Sequence, residues 1–147
     1  MTDRDLIDGL IATYRDLNLR VRPQSEERLR LRGTQGAVRD VITHLRDDEL
    51  IFSQTIKDTI AGLPVVEMNP DDAPVLGTES EHDTTATILA QFGTARESTL
   101  AMLRALPADQ WDARTGSVPT MRERATQRLA NDRASMERVV ALLGSPV

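Results

Sequence analysis

Apolar residues recur along this chain at steps of three and four, the spacing that gathers side chains on one face of an α-helix. The first such stripe is Leu6, Ile7, Leu10, Ile11, Tyr14 and Leu17. Thr2 stands where a helix N-cap is needed, with Asp5 three residues on to reach back to it. Pro23 and the polar stretch through Gly33-Thr34-Gln35-Gly36 end this helix and form the first connection. A second, longer stripe runs through Val38, Val41, Ile42, Leu45, Phe52, Ile56, Ile60 and Leu63, closed by Gly62 and Pro64.

From Pro64 to about Thr78 the period is lost among Pro64, Pro70, Pro74 and Gly77, which predicts a connection longer than an ordinary bundle loop. Ser80 with Asp83 is the expected cap of a third helix, whose stripe is Ile88, Leu89, Phe92, Ala95, Thr99, Leu100 and Leu103. Pro107 ends it. The segment to Gly116 predicts a short turn that lays Trp111 over one end of the fold. Thr120 and Glu123 cap a fourth helix with Met121, Ala125, Leu129, Met136, Val140 and Leu143 on its stripe, and Gly144 stops it. Four helices with one apolar face each must share a core. An antiparallel four-helix bundle is the simplest arrangement that buries all four, with the long connection between the second and third helices free to cross it.

Composition fits this picture. The chain has 147 residues, 39% hydrophobic and 28% charged, which suits one globular domain spanning residues 1–147. Aromatics make up only 3%, so the core is expected to be aliphatic. No cysteine is present, which leaves out disulfides, thiolate metal ligands and a protein thiol nucleophile, while an external thiol stays compatible. The net charge of -5 opposes nucleic-acid phosphates. The one basic run, Arg20 to Arg32, carries no interleaved aromatic for base stacking, so no nucleic-acid partner is expected. The charged N-terminal residues and the lack of a long apolar run predict no membrane association and a cytoplasmic protein.

Candidate chemistry lies on the second and fourth helices. Glu49 falls on the inner stripe between Leu45 and Phe52, where a carboxylate is costly to bury without a partner. His44 precedes Leu45, and Asp48 is one turn beyond His44. On the fourth helix Gln127, Asn131 and Ser135 recur every four residues as a polar line beside the apolar stripe, readable as a solvated face or as one wall of a pocket. Ser53, Ser98 and Ser135 lack the surroundings of a serine nucleophile.

Three stretches resemble the DinB/YfiT-like superfamily of four-helix bundles: Ala37-Val-Arg-Asp-Val-Ile-Thr-His-Leu-Arg-Asp-Asp-Glu49, Leu103-Arg-Ala-Leu-Pro-Ala-Asp-Gln-Trp-Asp112 and Val118-Pro-Thr-Met-Arg-Glu-Arg124. In order and spacing the resemblance covers essentially the whole chain. It implies a divalent-metal site built from one histidine on the second helix and a His-x-x-x-His pair on the last. His44 matches the first ligand, whereas Asn131 and Ser135 stand at the positions of the pair, and neither is a normal transition-metal ligand. His82 lies outside the motif.

The resemblance therefore implies a degenerate metal site. The expected pocket is His44, Glu49, Gln127, Asn131 and Ser135 in the bundle interior, binding a small molecule or simply non-catalytic, with no cofactor. The alternative is a transferase or isomerase that uses zinc or nickel with a low-molecular-weight thiol, the metal held by His44 with Asp48 and Glu49. Whether the domain is an enzyme stays open. A homodimer is the partner the resemblance implies.

Overall fold

The computed structural model describes residues 1–65 and 82–144. Among them are four long helices, α1 (Asp3–Val21), α3 (Val38–Ile60), α4 (Thr85–Ala105) and α6 (Met121–Gly144), and two short ones, α2 (Glu26–Arg30) and α5 (Ala108–Trp111). The long helices are the four predicted stripes. Thr2 and Asp5 form the reciprocal capping box at the start of α1. Thr120 and Glu123 do the same before α6. The cap of α4 is Thr84, whose hydroxyl accepts from the Thr87 N–H, and not Ser80, which lies outside the described residues. The long connection predicted from Pro64 to Thr78 lies almost wholly outside them as well.

Side-chain partners fix the directions of the helices. Asp3 pairs with Arg122 and Thr13 with Asp132, so α1 and α6 run the same way. Arg46 donates to Gln91 and Glu49 meets Arg96, so α3 and α4 also run together. Between these two pairs the sense is opposite: Tyr14 packs on Phe92 whereas Leu10 reaches the later residue Arg96, and Asp48 meets Arg128. The bundle is antiparallel pair against pair, and Ile60 and Thr85 sit at opposite ends of it.

Two apolar clusters fill the interior. One holds Leu6, Leu10, Phe52, Ile56, Leu100, Leu103, Trp111, Met121, Ala125 and Leu129, and the other Leu17, Val21, Leu29, Val38, Val41, Ile42, Leu45, Ile88, Leu89, Phe92 and Val139. Trp111 is 1% exposed and closes one end, as predicted. Arg122 lies over its ring and binds Asp3, Asp112 and the Met1 carbonyl, tying α1, α5 and α6 together.

Three predicted core positions are displaced. Ile60 and Leu63 are exposed: α3 ends at Ile60, and Leu63 lies beyond it, off the helical stripe. On α6 the buried valine is Val139 and not Val140, since the helical step from Leu129 through Asp132 and Met136 arrives at 139.

The first connection holds α2, which the polar composition of that stretch concealed. Ser25 caps it and Leu29 drops into the core. Its Glu26 carboxylate accepts from the Thr85 N–H at 2.9 and 3.1 Å and from the Thr85 hydroxyl at 3.0 Å, while Arg30 and Arg39 neutralise it. A negative charge thus sits against the unpaired N–H groups and positive dipole end of α4.

Candidate functional site

Between the two apolar clusters lies a layer of buried charge. Arg96 on α4 is fully buried and all five of its N–H donors are satisfied. Its Nε and Nη2 grip the Glu49 carboxylate of α3 at 2.8 and 2.9 Å. Nη1 donates to the Leu10 carbonyl of α1 and to Asp132 of α6, both at 2.8 Å, and Nη2 reaches Asp132 again at 3.1 Å. One guanidinium therefore links all four long helices. Burial alone would lower its pKa, but Glu49 and Asp132 outweigh that and raise it, so the cation is secure. Its face also lies 4.9 Å from the centre of the Phe92 ring.

Arg128 extends the layer toward the surface. It meets Asp48 at 3.5 Å and Asp132 at 3.4 Å, while its buried Nε, 3.9 Å from Glu49, has no hydrogen-bond acceptor. The Thr13 hydroxyl donates to Asp132 at 2.7 Å and completes the partners of that carboxylate.

The expectation of a cavity in the middle of the bundle is corrected by this layer, because the level of Glu49 is occupied by paired charge. Of the predicted site residues only Glu49 lies inside, with both oxygens engaged by Arg96. His44, Gln127 and Asn131 are exposed, Ser135 and Asp48 half-buried. Gln127 donates to Asn131 at 3.0 Å along the outer face of α6. The open space is instead a surface groove of about 620 Å3 between α3 and α6. Gln127 and Asn131 form its rim on α6 and Asp48 on α3, and the buried Phe52, Thr55 and Arg128 contribute to its floor.

The donors present do not suit a transition metal. Glu49 is consumed by Arg96 and Asp48 is paired with Arg128, which leaves His44 as the one imidazole of the motif, exposed on α3, while an amide and a hydroxyl stand at the other two motif positions. Among the described residues no three His, Cys, Asp or Glu side chains stand together in a way that could hold an ion.

Sequence reasoning missed Arg96, Arg128 and Asp132, although the periodicity contains them. Arg96 falls on the α4 stripe midway between Phe92 and Leu100, and Asp132 falls between Leu129 and Met136. A buried Glu49 required a cation, and Arg96 was the cation on an inward-facing position.

Compared with known families, residues 37–138 match the model of the mycothiol maleylpyruvate isomerase N-terminal domain, from the residue before α3 to near the end of α6. No curated protein and no solved structure matches the chain.

Proposed function

Because this chain belongs to the mycothiol maleylpyruvate isomerase N-terminal domain family, a DinB/YfiT-like family, we propose that it is a cytoplasmic member that holds a small molecule in the α3–α6 groove without metal catalysis. The observation that carries this reading is the pairing of Glu49 with Arg96 and of Asp48 with Arg128. Those two carboxylates were the groups able to supplement His44, and each is already committed to a guanidinium. Along the groove stand the amides of Gln127 and Asn131 and the charged Glu123 and Arg124, over an apolar floor that includes Ile51 and Phe52. Such a lining orients a polar molecule with an apolar portion. Pairing of two copies belongs to the same reading.

A thiol-dependent transferase or isomerase is the second reading, favoured by the family itself, whose name couples mycothiol with an isomerisation. It would need zinc or nickel to sharpen the thiol, and the donor set here does not fit that ion, so no step is derived through it.

Mycothiol is the natural probe. Protein purified without a histidine tag should carry zinc and nickel well below one ion per chain. Mycothiol should raise its melting temperature equally with and without a chelator, by several degrees at about a hundredfold excess over Kd. Asn131→Leu and Gln127→Leu should abolish that rise. One zinc or nickel per chain, lost on His44→Ala, would overturn the proposal in favour of the enzyme.

A further inference from the structure

We infer that the molecule held in the α3–α6 groove is a linear amphiphile with an uncharged hydrogen-bonding head and an alkyl tail, an inference that rests on the reading of that groove as a small-molecule site. A second groove of about 580 Å3 lies at the end of the bundle that Trp111 closes, between the last turn of α3 and the residues around α5 and the start of α6. It meets the first at Pro119 and Arg124, which line both. Leu63 is 58% exposed and Val118 38%, and the two line this second groove together with the half-buried Val65. Along α3 the joined trench runs from Asp48 to Thr59, about 16 Å by the rise of the helix, and Leu63 continues it.

Polarity changes along this trench. At the first end Gln127 donates to Asn131, which leaves the Asn131 NH2 group and the Gln127 carbonyl for a head that both accepts and donates. Beyond them the α3 wall is apolar although it contains two threonines. The Thr55 hydroxyl donates to the Ile51 carbonyl at 3.0 Å and the Thr59 hydroxyl to the Thr55 carbonyl at 2.8 Å, so both donors are spent on their own helix and each threonine has its methyl group left to offer. With Ile51, Phe52 and Leu63 they make a continuous apolar track. The charges beside the track are matched inside the chain: Asp48 by Arg128 and Glu123 by Arg114, while Arg124 has contacts of its own. A charged head would lose hydration here and meet no uncompensated opposite charge, so the complementary head is neutral. A tail lying on the track would cover Leu63 and Val118 and remove their apolar surface from water.

Titration calorimetry of the untagged full chain with n-alkyl β-glucosides from hexyl to dodecyl, each below its micelle concentration, tests this. Affinity should rise roughly two- to fourfold for each added methylene, the upper figure corresponding to full burial. Leu63→Asp and Val118→Asp, both at exposed positions, should each flatten that dependence with helix content unchanged, and leave the mycothiol-induced rise in melting temperature as it was. Asn131→Leu should weaken every member of the series by the same factor and keep its slope. Alkanoates of the same chain lengths should bind about tenfold more weakly. A flat series in the parent, a slope indifferent to Leu63→Asp, or alkanoates that bind as tightly as the glucosides would each overturn the proposal. So would sedimentation of the protein with phosphatidylcholine vesicles that Leu63→Asp abolishes, since the apolar end would then be docking on a bilayer. A flat series beside an intact mycothiol response rejects the tail and leaves the functional reading standing, whereas one metal ion per chain lost on His44→Ala rejects that reading and this inference with it.

Discussion

The Glu49 carboxylate and the Arg96 guanidinium face each other edge to edge, two hydrogen bonds of 2.8 and 2.9 Å, with neither side chain exposed to solvent. Burying two charges costs several kcal/mol each, offset only while both partners and their other contacts are present. Glu49→Gln should destabilise the bundle by about 3 kcal/mol. Arg96→Leu should cost more, roughly 4–5 kcal/mol, since it strands Glu49, Asp132 and the Leu10 carbonyl together. Urea unfolding followed by circular dichroism measures both, and an equal cost for the two variants would contradict the central role of Arg96.

Glu26 gives the fold an acid limb. Its partial burial raises its pKa, but the hydrogen bonds from Arg30 and from the Thr85 N–H and hydroxyl outweigh this and hold it below its ordinary 4.5. A group with a depressed folded pKa stabilises the protein above its unfolded pKa, and the contribution disappears as pH falls through the folded value. At pH 7 Glu26→Gln should be less stable than the parent by about 1 kcal/mol, the scale of a helix N-terminal cap. The gap should narrow below pH 4.5 and close in more acid solution. Urea midpoints of parent and variant between pH 7 and 3 should converge; parallel curves would show that the carboxylate is not the group responsible.

Gly93 makes room for a tyrosine. A Cβ at this position would overlap the Tyr14 hydroxyl and stand 3.0 Å from its Cζ. Tyr14 in turn packs edge-on against Phe92, with ring centres 5.6 Å apart. Gly93→Ala should therefore destabilise by about 1–3 kcal/mol although alanine is the better helix former. Tyr14→Phe in the same chain should recover part of that loss. A double-mutant cycle with no coupling between 14 and 93 would rule out the clash as the cause.

The correspondence of Asn131 and Ser135 with a lost histidine pair has its own assay. Asn131→His with Ser135→His should create a zinc site whose binding raises the melting temperature by several degrees, and His44→Ala should remove that rise. A zinc response that persists without His44 would mean that the α3 and α6 positions do not share one site.

Most of the fold is legible in the spacing of apolar residues because helix burial is a periodic property: the cores of α1, α3 and α4 follow their stripes nearly residue for residue. Capping was legible for the same local reason at Thr2 and Thr120. What escaped was set by pairing across the interior. Arginine in a polar, arginine-rich sequence reads as surface, so Arg96, Arg128 and the fully buried Arg46 gave no sign by composition. The pocket misplacement has the same origin. Gln127 and Asn131 look inward if the bundle centre is polar and empty, but Arg128 and Asp132, each one residue later, turn toward that centre, and the amides face water.

The parallel pairing of α1 with α6 bears on how the chain finds its fold. The neighbours of α1 in space are α4 and α6, both far along the sequence, and its contact with α6 closes a loop of more than a hundred residues. Loop closure of that length is an entropic cost met before any contact repays it, and chains dominated by distant contacts fold slowly for helical proteins. During synthesis the helix that emerges first stays amphipathic and half-covered until the last one leaves the ribosome. Its apolar stripe from Leu6 to Leu17 is then the surface most open to wrong partners, and the one a chaperone would meet.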